Sequence, residues 1–229
     1  MIPEPEEYRY ERKYHADGIS VPEIESLVRR NPGMFWEEYP LRAVNNIYLD
    51  VHNLAYYFQN VNGDTDRTKA RIRWYGGLFG AVERPVLEFK IKHGLLGKKA
   101  SYRLPPFTLD GQFRGEHLAE LVRQAELPEP VHALVQTLEP MLVNHYQRKY
   151  FRSADGHFRV TIDFDLGFHA LHRQGNTFLS RSNGHPFTIV ELKYDRTHPD
   201  IVDCIAGALP FRVSKMSKYV FGLNAVDGR

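Results

Sequence analysis

Charged and apolar residues alternate along several short stretches of the chain, and residues 187–194 show the pattern most clearly. Successive side chains of a β-strand point to opposite faces. Glu191 and Lys193 would therefore share one face of a strand, while Val190 and Leu192 would share the other. The stretch predicts a strand that is charged on one side and apolar on the other.

The same alternation recurs in five further stretches. Their charged and polar positions are Arg9, Glu11 and Lys13; Arg71, Arg73 and Tyr75; Glu88, Lys90 and Lys92; Arg148, Tyr150 and Arg152; and Arg159, Thr161, Asp163 and Asp165. A face turned to water is the ordinary interpretation of any one such strand. These faces are weighted to Arg and Lys with single acids between them, and that composition suits a polyanion better than it suits water.

Helical patterns between the strands indicate what covers the apolar faces. Helices are predicted at about 20–30, 116–125, 130–139 and from 199 onward, and strands near 8–14, 43–50, 67–75, 86–92, 143–152, 158–165, 167–172 and 187–193. Residues 60–66 are predicted as a polar turn and 94–103 as a basic loop. With helices on the apolar faces, the charged faces would line an interior. We therefore predict an α+β fold, an eight-stranded antiparallel β-barrel with a polar, basic lumen, as a single domain over residues 1–229.

Composition restricts the partners of such a barrel. The 229 residues carry 30 Lys and Arg against 28 Asp and Glu, a net charge of only +2, so no general basic field for a nucleic acid is expected. The single Cys204 has no partner for a disulfide or a zinc site, and a reducing compartment is expected. No stretch is apolar enough for a signal peptide or a membrane segment, which predicts a cytoplasmic protein.

Common nucleotide and hydrolase motifs are missing from the chain. It has no glycine-rich loop ending in Gly-Lys-Ser/Thr, no dinucleotide fingerprint, no nucleophile elbow and no zinc-protease helix motif. His169 and His172 would fall on opposite faces of a strand, so they are not expected to bind a metal together.

Eight segments of the chain, in order, resemble the triphosphate tunnel metalloenzymes, and among them the catalytic domain of the vacuolar transporter chaperone (VTC) polyphosphate polymerases. They are Tyr10–Tyr14, Asn46–Asp50, Lys69–Arg73, Leu87–Lys90, Tyr146–Tyr150, Arg159–Asp163, Val190–Tyr194 and Ser217–Tyr219. The hydrolytic and cyclase branches of that superfamily have a glutamate where this chain has Arg9. The resemblance therefore favours the polymerase branch, in a free-standing bacterial form.

The resemblance implies transfer of the γ-phosphoryl group of ATP to a growing polyphosphate chain. The expected charge-neutralising catalytic residues are Lys13, Arg71, Arg73, Lys90, Arg148, Arg159, Lys193 and Lys218, and the expected substrate-binding residues are Tyr75, Tyr150, Arg9 and Ser217. Mn²⁺ or Mg²⁺ is the expected cofactor, with Glu191, Glu11, Glu88 and Asp163 as candidate ligands. A wall ion pair is the favoured role for Glu11 and Glu88, and metal binding for Glu191. The expected partners are ATP or another nucleoside triphosphate, inorganic polyphosphate, pyrophosphate and triphosphate.

Two other functions stay open at this point. The same tunnel would serve a hydrolase that cleaves inorganic or nucleoside triphosphate, or a non-catalytic module that binds polyphosphate.

Overall fold

The structure is a computed structural model, and it describes residues 10–93, 96–172, 176, 178–194 and 199–227. Its strands are β1 (Tyr10–Asp17), β2 (Trp36–Val51), β3 (Asp66–Tyr75), β4 (Gly80–Val82), β5 (Val86–His93), β6 (Leu96–Arg103), β7 (Phe107–Leu109), β8 (Leu138–Arg152), β9 (Phe158–Ala170), β10 (Arg181–Ser182), β11 (Phe187–Tyr194) and β12 (Arg212–Val213). Its helices are α1 (Val21–Arg29), α2 (Ala55–Asn62), α3 (Gly115–Gln124), α4 (Glu129–Gln136), α5 (Pro199–Gly207) and α6 (Lys218–Asp227).

Ten of the described strands form one antiparallel sheet. Its order is β12-β1-β11-β9-β8-β2-β3-β5-β6, with β10 paired to β9, and β4 and β7 form a separate antiparallel pair. The α+β class is confirmed, but the main sheet has ten strands rather than eight. Among the described residues no backbone ladder joins β6 to β1 or β12.

The sheet is nevertheless strongly curled. Six strand spacings separate β1 from β5, which would be roughly 28 Å in a flat sheet. Yet Glu11 on β1 accepts a hydrogen bond of 2.8 Å from the ammonium of Lys90 on β5. The charged face must therefore be the concave one, and we call it the inner face.

Three apolar clusters lie on the two faces of the sheet. Two lie on the outer face: α3 and α4 cover the β2, β3, β5 and β8 side, and α1 and α5 cover the β1, β9 and β11 side. The third lies on the inner face, where α6 contacts β8 and β9. A side chain at Gly222 would collide with Phe168 and Leu142, so this glycine lets α6 approach the sheet closely. Part of the interior is thus apolar and filled by a helix.

A β-bulge in β9 separates the charged part of the inner face from the apolar part. The pairing with β8 shifts between Gln147, opposite Phe164, and His145, opposite Gly167. Asp165 occupies the bulge with φ 52°, a left-handed conformation that aspartate tolerates better than most residues, and its side chain is exposed. The prediction that Asp165 shares the inner face with Asp163 was wrong, because the extra residue reverses the alternation.

Four of the local predictions need correction. The predicted loop at 94–103 contains β6, the turn at 60–66 begins inside α2, and the predicted strand at 167–172 is the continuation of β9. The segment 214–222 contains the start of α6, which the sequence reading did not predict. In each case pairing or packing with distant parts of the chain sets the local structure.

Candidate active site on the inner face of the sheet

Glu191 lies at the middle of the charged inner face and is almost fully buried. Four basic groups surround its carboxylate, at N···O distances of 3.6–3.9 Å, and all lie beyond the usual hydrogen-bond length. They are Lys13 on β1, Arg148 on β8, Lys193 on β11 and Lys218 at the start of α6. Burial alone would raise the pKa of Glu191, but Lys13, Lys218 and Lys193 hold that pKa well below its usual value. Glu191 is therefore ionised and only loosely held.

Thr161 lies directly across the β11–β9 ladder from Glu191. Its hydroxyl is buried and has no hydrogen-bond partner within the described residues. A buried hydroxyl without a partner is unfavourable. The centre of the site thus offers a spare donor beside a loosely held carboxylate.

Asp163, two residues along β9, is held much more tightly. Arg148 grips it with two hydrogen bonds, Nε to Oδ1 at 2.5 Å and Nη2 to Oδ2 at 2.6 Å, and Lys218 Nζ lies 2.5 Å from Oδ2. Asp163 is completely buried. Burial would raise its pKa, and the two bases lower it below the ordinary value. This carboxylate orients Arg148 and Lys218 toward the centre.

Glu88 on β5 forms a second tight cluster. Its Oε2 lies 2.6 Å from Arg71 Nη2 and 3.6 Å from Arg73 Nη1, and its Oε1 lies 3.1 Å from Lys99 Nζ. Arg73 also donates hydrogen bonds to Asn46 and to the Tyr146 hydroxyl. Burial would raise the pKa of Glu88, but the three bases, Arg71 most strongly, lower it well below 4.5.

Glu11 connects the two flanks of the curled sheet. Its carboxylate contacts Lys13 at 3.1 Å and Lys90 at 2.8 Å, and Lys13 also reaches Glu191 at 3.7 Å. Burial and the nearby Glu191 would raise the pKa of Glu11, but the lysines lower it to about 2. Two carboxylates, Glu11 and Glu191, therefore lie on either side of one lysine.

Lys69 is a partly buried base with no carboxylate among its described contacts. Its ammonium donates a 3.0 Å hydrogen bond to the hydroxyl of Ser217, just before α6. Burial, reinforced by Lys13 and Lys90, lowers the pKa of Lys69 well below 10.5. Lys69 shares the face of Arg71 and Arg73 on β3, so the same alternation that found those two residues also indicates Lys69.

The opposite end of β3 forms an aromatic rim. Arg42 on β2 stacks its guanidinium over Tyr39, Tyr75 and Tyr150, at 4.5, 5.6 and 5.4 Å from the ring centres. Tyr75 is about half exposed, at 52%. Burial, together with the neighbouring Tyr75, raises the pKa of Tyr150 to about 12.

The charged residues among the predicted site fall into three groups. Most lie together on the inner face: Lys13, Arg71, Arg73, Lys90, Arg148, Lys193, Lys218, Glu11, Glu88, Asp163 and Glu191. Arg159 is further out, where it and Arg152 contact Glu38 at 3.8 and 3.2 Å. Arg9 lies outside the described residues.

Sequence reasoning missed several members of the site. Asn46, Tyr146, Thr161 and Lys99 all contact or flank the charged cluster. Strand alternation puts Asn46 and Thr161 on the inner face, although neither was named as a site residue. Lys99 was expected in a basic loop rather than on a strand, because β6 was not predicted.

Two absences concern only the described part of the chain. No group of three or more His, Cys, Asp or Glu side chains lies close enough to form a metal site by itself. No helix there is long and apolar enough to cross a membrane.

The fold of the chain matches known structures. A putative adenylate cyclase from Vibrio parahaemolyticus is 12% identical, with a TM-score of 0.52 over 94% of this chain and 98% of that chain. A Hippeastrum protein described as a putative adenylyl cyclase with a dominant triphosphatase activity is 13% identical, with a TM-score of 0.48 over 96% of this chain and 97% of that chain. The chain therefore shares its overall fold with the Vibrio parahaemolyticus protein.

The profile of the VTC domain matches residues 8–226. The chain therefore belongs to the VTC domain family, as its eight motif segments indicate. No curated protein matches the chain significantly.

Proposed function

We propose that this protein is a cytoplasmic polyphosphate polymerase that transfers the γ-phosphoryl group of ATP to a phosphate chain within a tunnel on the inner face. The observation that carries the proposal is that seven of the eight expected bases lie on one curled face, four of them around the loosely held Glu191. Phosphoryl transfer needs its phosphates aligned and their charge neutralised, and it needs little covalent chemistry from the protein. Side-chain contacts between the two flanks of the sheet, such as the one between Glu11 and Lys90, would close the proposed tunnel.

The bases would have different roles, depending on how tightly neighbouring carboxylates hold them. Arg148, fixed by Asp163, and Arg71, fixed by Glu88, present oriented guanidinium groups that can grip phosphate oxygens in pairs. Lys13 and Lys193 are less constrained and serve as compact charges next to Glu191. Oriented arginines would fix the phosphates, and the lysines would follow the charge as it moves. Arg159 would act at the outer end of this row.

The oxygen groups at the centre of the site can hold Mg²⁺ or Mn²⁺ if substrate phosphates supply the remaining ligands. Glu191 is ionised and not hydrogen-bonded by its four basic neighbours, Glu11 lies beyond Lys13, and Thr161 has a free hydroxyl. Magnesium is commonly held by one or two carboxylates together with phosphates and waters. When bound, the metal supplies Lewis-acid neutralisation of the phosphate oxygens. Glu88 and Asp163 are already occupied by bases, and we propose that they position arginines instead.

The two ends of the inner face suggest a direction for the nucleotide. Tyr75 and Tyr150 at the rim offer aromatic surface for a nucleoside, with Arg42 stacked among them, and Arg9 remains a proposed contact. Ser217 and Lys69 lie at the other end of β3. We therefore propose that the nucleoside stays at the rim while the phosphates point inward.

A phosphate acceptor suits this site better than water does. A hydrolase needs a base to activate water, and an efficient base has a pKa near the working pH. The pKa of Glu11 is about 2, and the other inner carboxylates also have lowered pKa values. The terminal phosphate of a chain is already ionised and requires no base.

The test is to incubate the protein with ATP and Mn²⁺ and to follow the ³¹P spectrum. Growing mid-chain phosphate signals with matching ADP are expected. ADP or AMP with only orthophosphate or pyrophosphate would identify a hydrolase instead. Tight polyphosphate binding without any nucleotide turnover would identify a binding module.

A further inference from the structure

A row of side-chain hydrogen bonds crosses four neighbouring strands beside the charged centre. It runs from Arg73 on β3 through Asn46 on β2 and Asn144 on β8 to the backbone carbonyl of Gly167 on β9. The donor–acceptor distances are 3.0, 3.3 and 3.2 Å, and both asparagines are completely buried. We call the two asparagines and these three bonds the amide row.

The register of the sheet brings the members of the amide row into line. Asn46 is the ladder partner of Arg73 on one side and of Asn144 on the other, so the three side chains lie side by side on the inner face. At the far end, Gly167 lies two residues after the bulge at Asp165. The amide row therefore joins Arg73 to the boundary between the charged and the apolar parts of the inner face.

The direction of the hydrogen bonds in the amide row is fixed at both ends. A guanidinium can only donate, so Asn46 must turn its carbonyl oxygen toward Arg73 and its amide N–H toward Asn144. A backbone carbonyl can only accept, so Asn144 must turn its N–H toward Gly167 and its oxygen toward Asn46. Because both amides are buried, neither can turn over without leaving polar groups unpaired, which is unfavourable.

Arg73 is held differently from two other arginines of the centre. Arg71 and Arg148 have carboxylate oxygens at 2.6 and 2.5 Å, which cancel part of their charge. The described contact of Arg73 with Glu88 is 3.6 Å long, beyond the usual hydrogen-bond length. Its hydrogen bonds go to uncharged oxygens instead, that of Asn46 at 3.0 Å among them. The guanidinium is thus fixed in place with little loss of its charge.

We propose that Asn46 and Asn144 are positioning residues, which orient Arg73 toward the substrate phosphates and leave its positive charge available to them. This inference rests on the proposed function only in that Arg73 contacts those phosphates. A carboxylate in the place of Asn46 would also hold the arginine, but it would compete with the phosphate for the same charge. The role is the same whether the centre polymerises or hydrolyses.

The first test is a double-mutant cycle on the affinity for inorganic triphosphate, measured by calorimetry without nucleotide. Asn46→Ala removes the acceptor, and the affinity should fall about three- to tenfold because Arg73 is no longer fixed. In an Arg73→Gln background the same change should have almost no further effect, since Asn46 acts through Arg73. Asn144→Ala should give a smaller loss that also disappears in that background. Losses of equal size in both backgrounds would overturn the positioning role.

The matched control is Asn45→Ala, the same substitution one residue earlier. Asn45 is also buried, lies on the opposite face of β2 and donates hydrogen bonds to the carbonyls of Gly76 and Gly77. This variant should lower the Tm and leave the triphosphate affinity nearly unchanged. If it lost as much affinity as Asn46→Ala, the effect would come from a general loosening of β2, and the proposal would be wrong.

Asn46→Asp tests whether the acceptor has to be neutral, and it decides the question even if the alanine variant does not fold. The aspartate offers Arg73 an acceptor and adds a negative charge, so the triphosphate affinity should fall at least about tenfold. Wild-type affinity in this variant would show that phosphate binding does not need the free charge of Arg73, and it would overturn the inference. These measurements involve no nucleotide turnover, so they and the ³¹P assay for polymer formation can fail independently.

Discussion

Glu88 and Glu191 are both buried glutamates ringed by bases on the inner face, but they are held in opposite ways. The shortest contact of Glu88 is 2.6 Å, whereas the four bases around Glu191 all lie at 3.6–3.9 Å. A carboxylate with short contacts has its oxygens occupied and keeps its arginine in place. A carboxylate with only long contacts is ionised by the surrounding field and still has oxygens to offer. The sequence favoured an ion pair for Glu88 and metal binding for Glu191, and the distances give a physical reason for proposing different roles.

The largest expected effect is that of Glu191→Gln on catalysis. The amide cannot neutralise the neighbouring lysines or bind a divalent metal, so kcat for metal-dependent phosphoryl transfer should fall at least about a hundredfold. Phosphate-chain binding should stay nearly unchanged, because the bases dominate affinity. Steady-state kinetics and calorimetry measure the two quantities. A variant with wild-type kcat, or wild-type activity in excess chelator, would remove the metal role.

Glu88→Gln should act mainly on stability. It leaves Arg71, Arg73 and Lys99 without their shared anion, and the expected loss is about 1–3 kcal/mol of unfolding free energy. Added triphosphate should restore more of the Tm in this variant than in Glu191→Gln, since the ligand replaces the missing charge. Thermal melts with and without triphosphate test the comparison, and equal restoration in both variants would contradict it.

Acid should destabilise the protein through the same carboxylates. The folded pKa of Glu88 lies well below its ordinary 4.5, and that of Glu11 is about 2, so the unfolded chain takes up protons first as the pH falls. The stabilisation is complete above about pH 5 and should be lost progressively from there toward pH 2. Thermal melts measured across this pH range should show a weaker dependence of Tm on pH for Glu88→Gln than for the wild-type protein. A variant that parallels the wild-type protein would show that Glu88 has no part in the acid transition.

The smallest effect is expected from Tyr219→Phe, which acts on the Glu191 cluster indirectly. Tyr219 follows Lys218 at the start of α6, and its hydroxyl donates a 2.7 Å hydrogen bond to the buried Asp50. Its loss should remove about 1 kcal/mol of stability and lower kcat severalfold, with KM little changed. Tyr57→Phe is a matched control, because it removes a bond from α2 to Asn224, farther along α6. Equal effects of the two variants on kcat would show a general loosening of α6.

The alternation of side chains was the reliable signal in this sequence. It placed Glu191, Lys193, Arg71 and Arg148 on one face, because a strand has a strict period of two. It failed for Asp165, where a bulge inserts one residue, and for β6, where Gly94–Gly97 interrupts the period.

Helix α6 and the strength of individual contacts lay beyond local patterns. Residues 218–227 have apolar side chains on most sides, as a helix that packs inside a curled sheet requires, so they show no amphipathic stripe. Which carboxylate has short contacts depends on distances between strands far apart in sequence, such as the approach of Lys99 to Glu88. The alternation of residue types predicted the charged interior, and the tertiary structure adds the contact distances of each carboxylate.

Helix α6 has a consequence for biosynthesis. A ribosome delivers β1 early, but Lys218 and the helix that fills the apolar half of the interior follow only after the whole sheet has been made. Until then Phe168 and Leu142 lack their covering helix, and Asp163 has Arg148 but not Lys218. A nascent chain therefore has an incomplete charged cluster, and the contacts of Asp163 are completed only when α6 reaches the sheet.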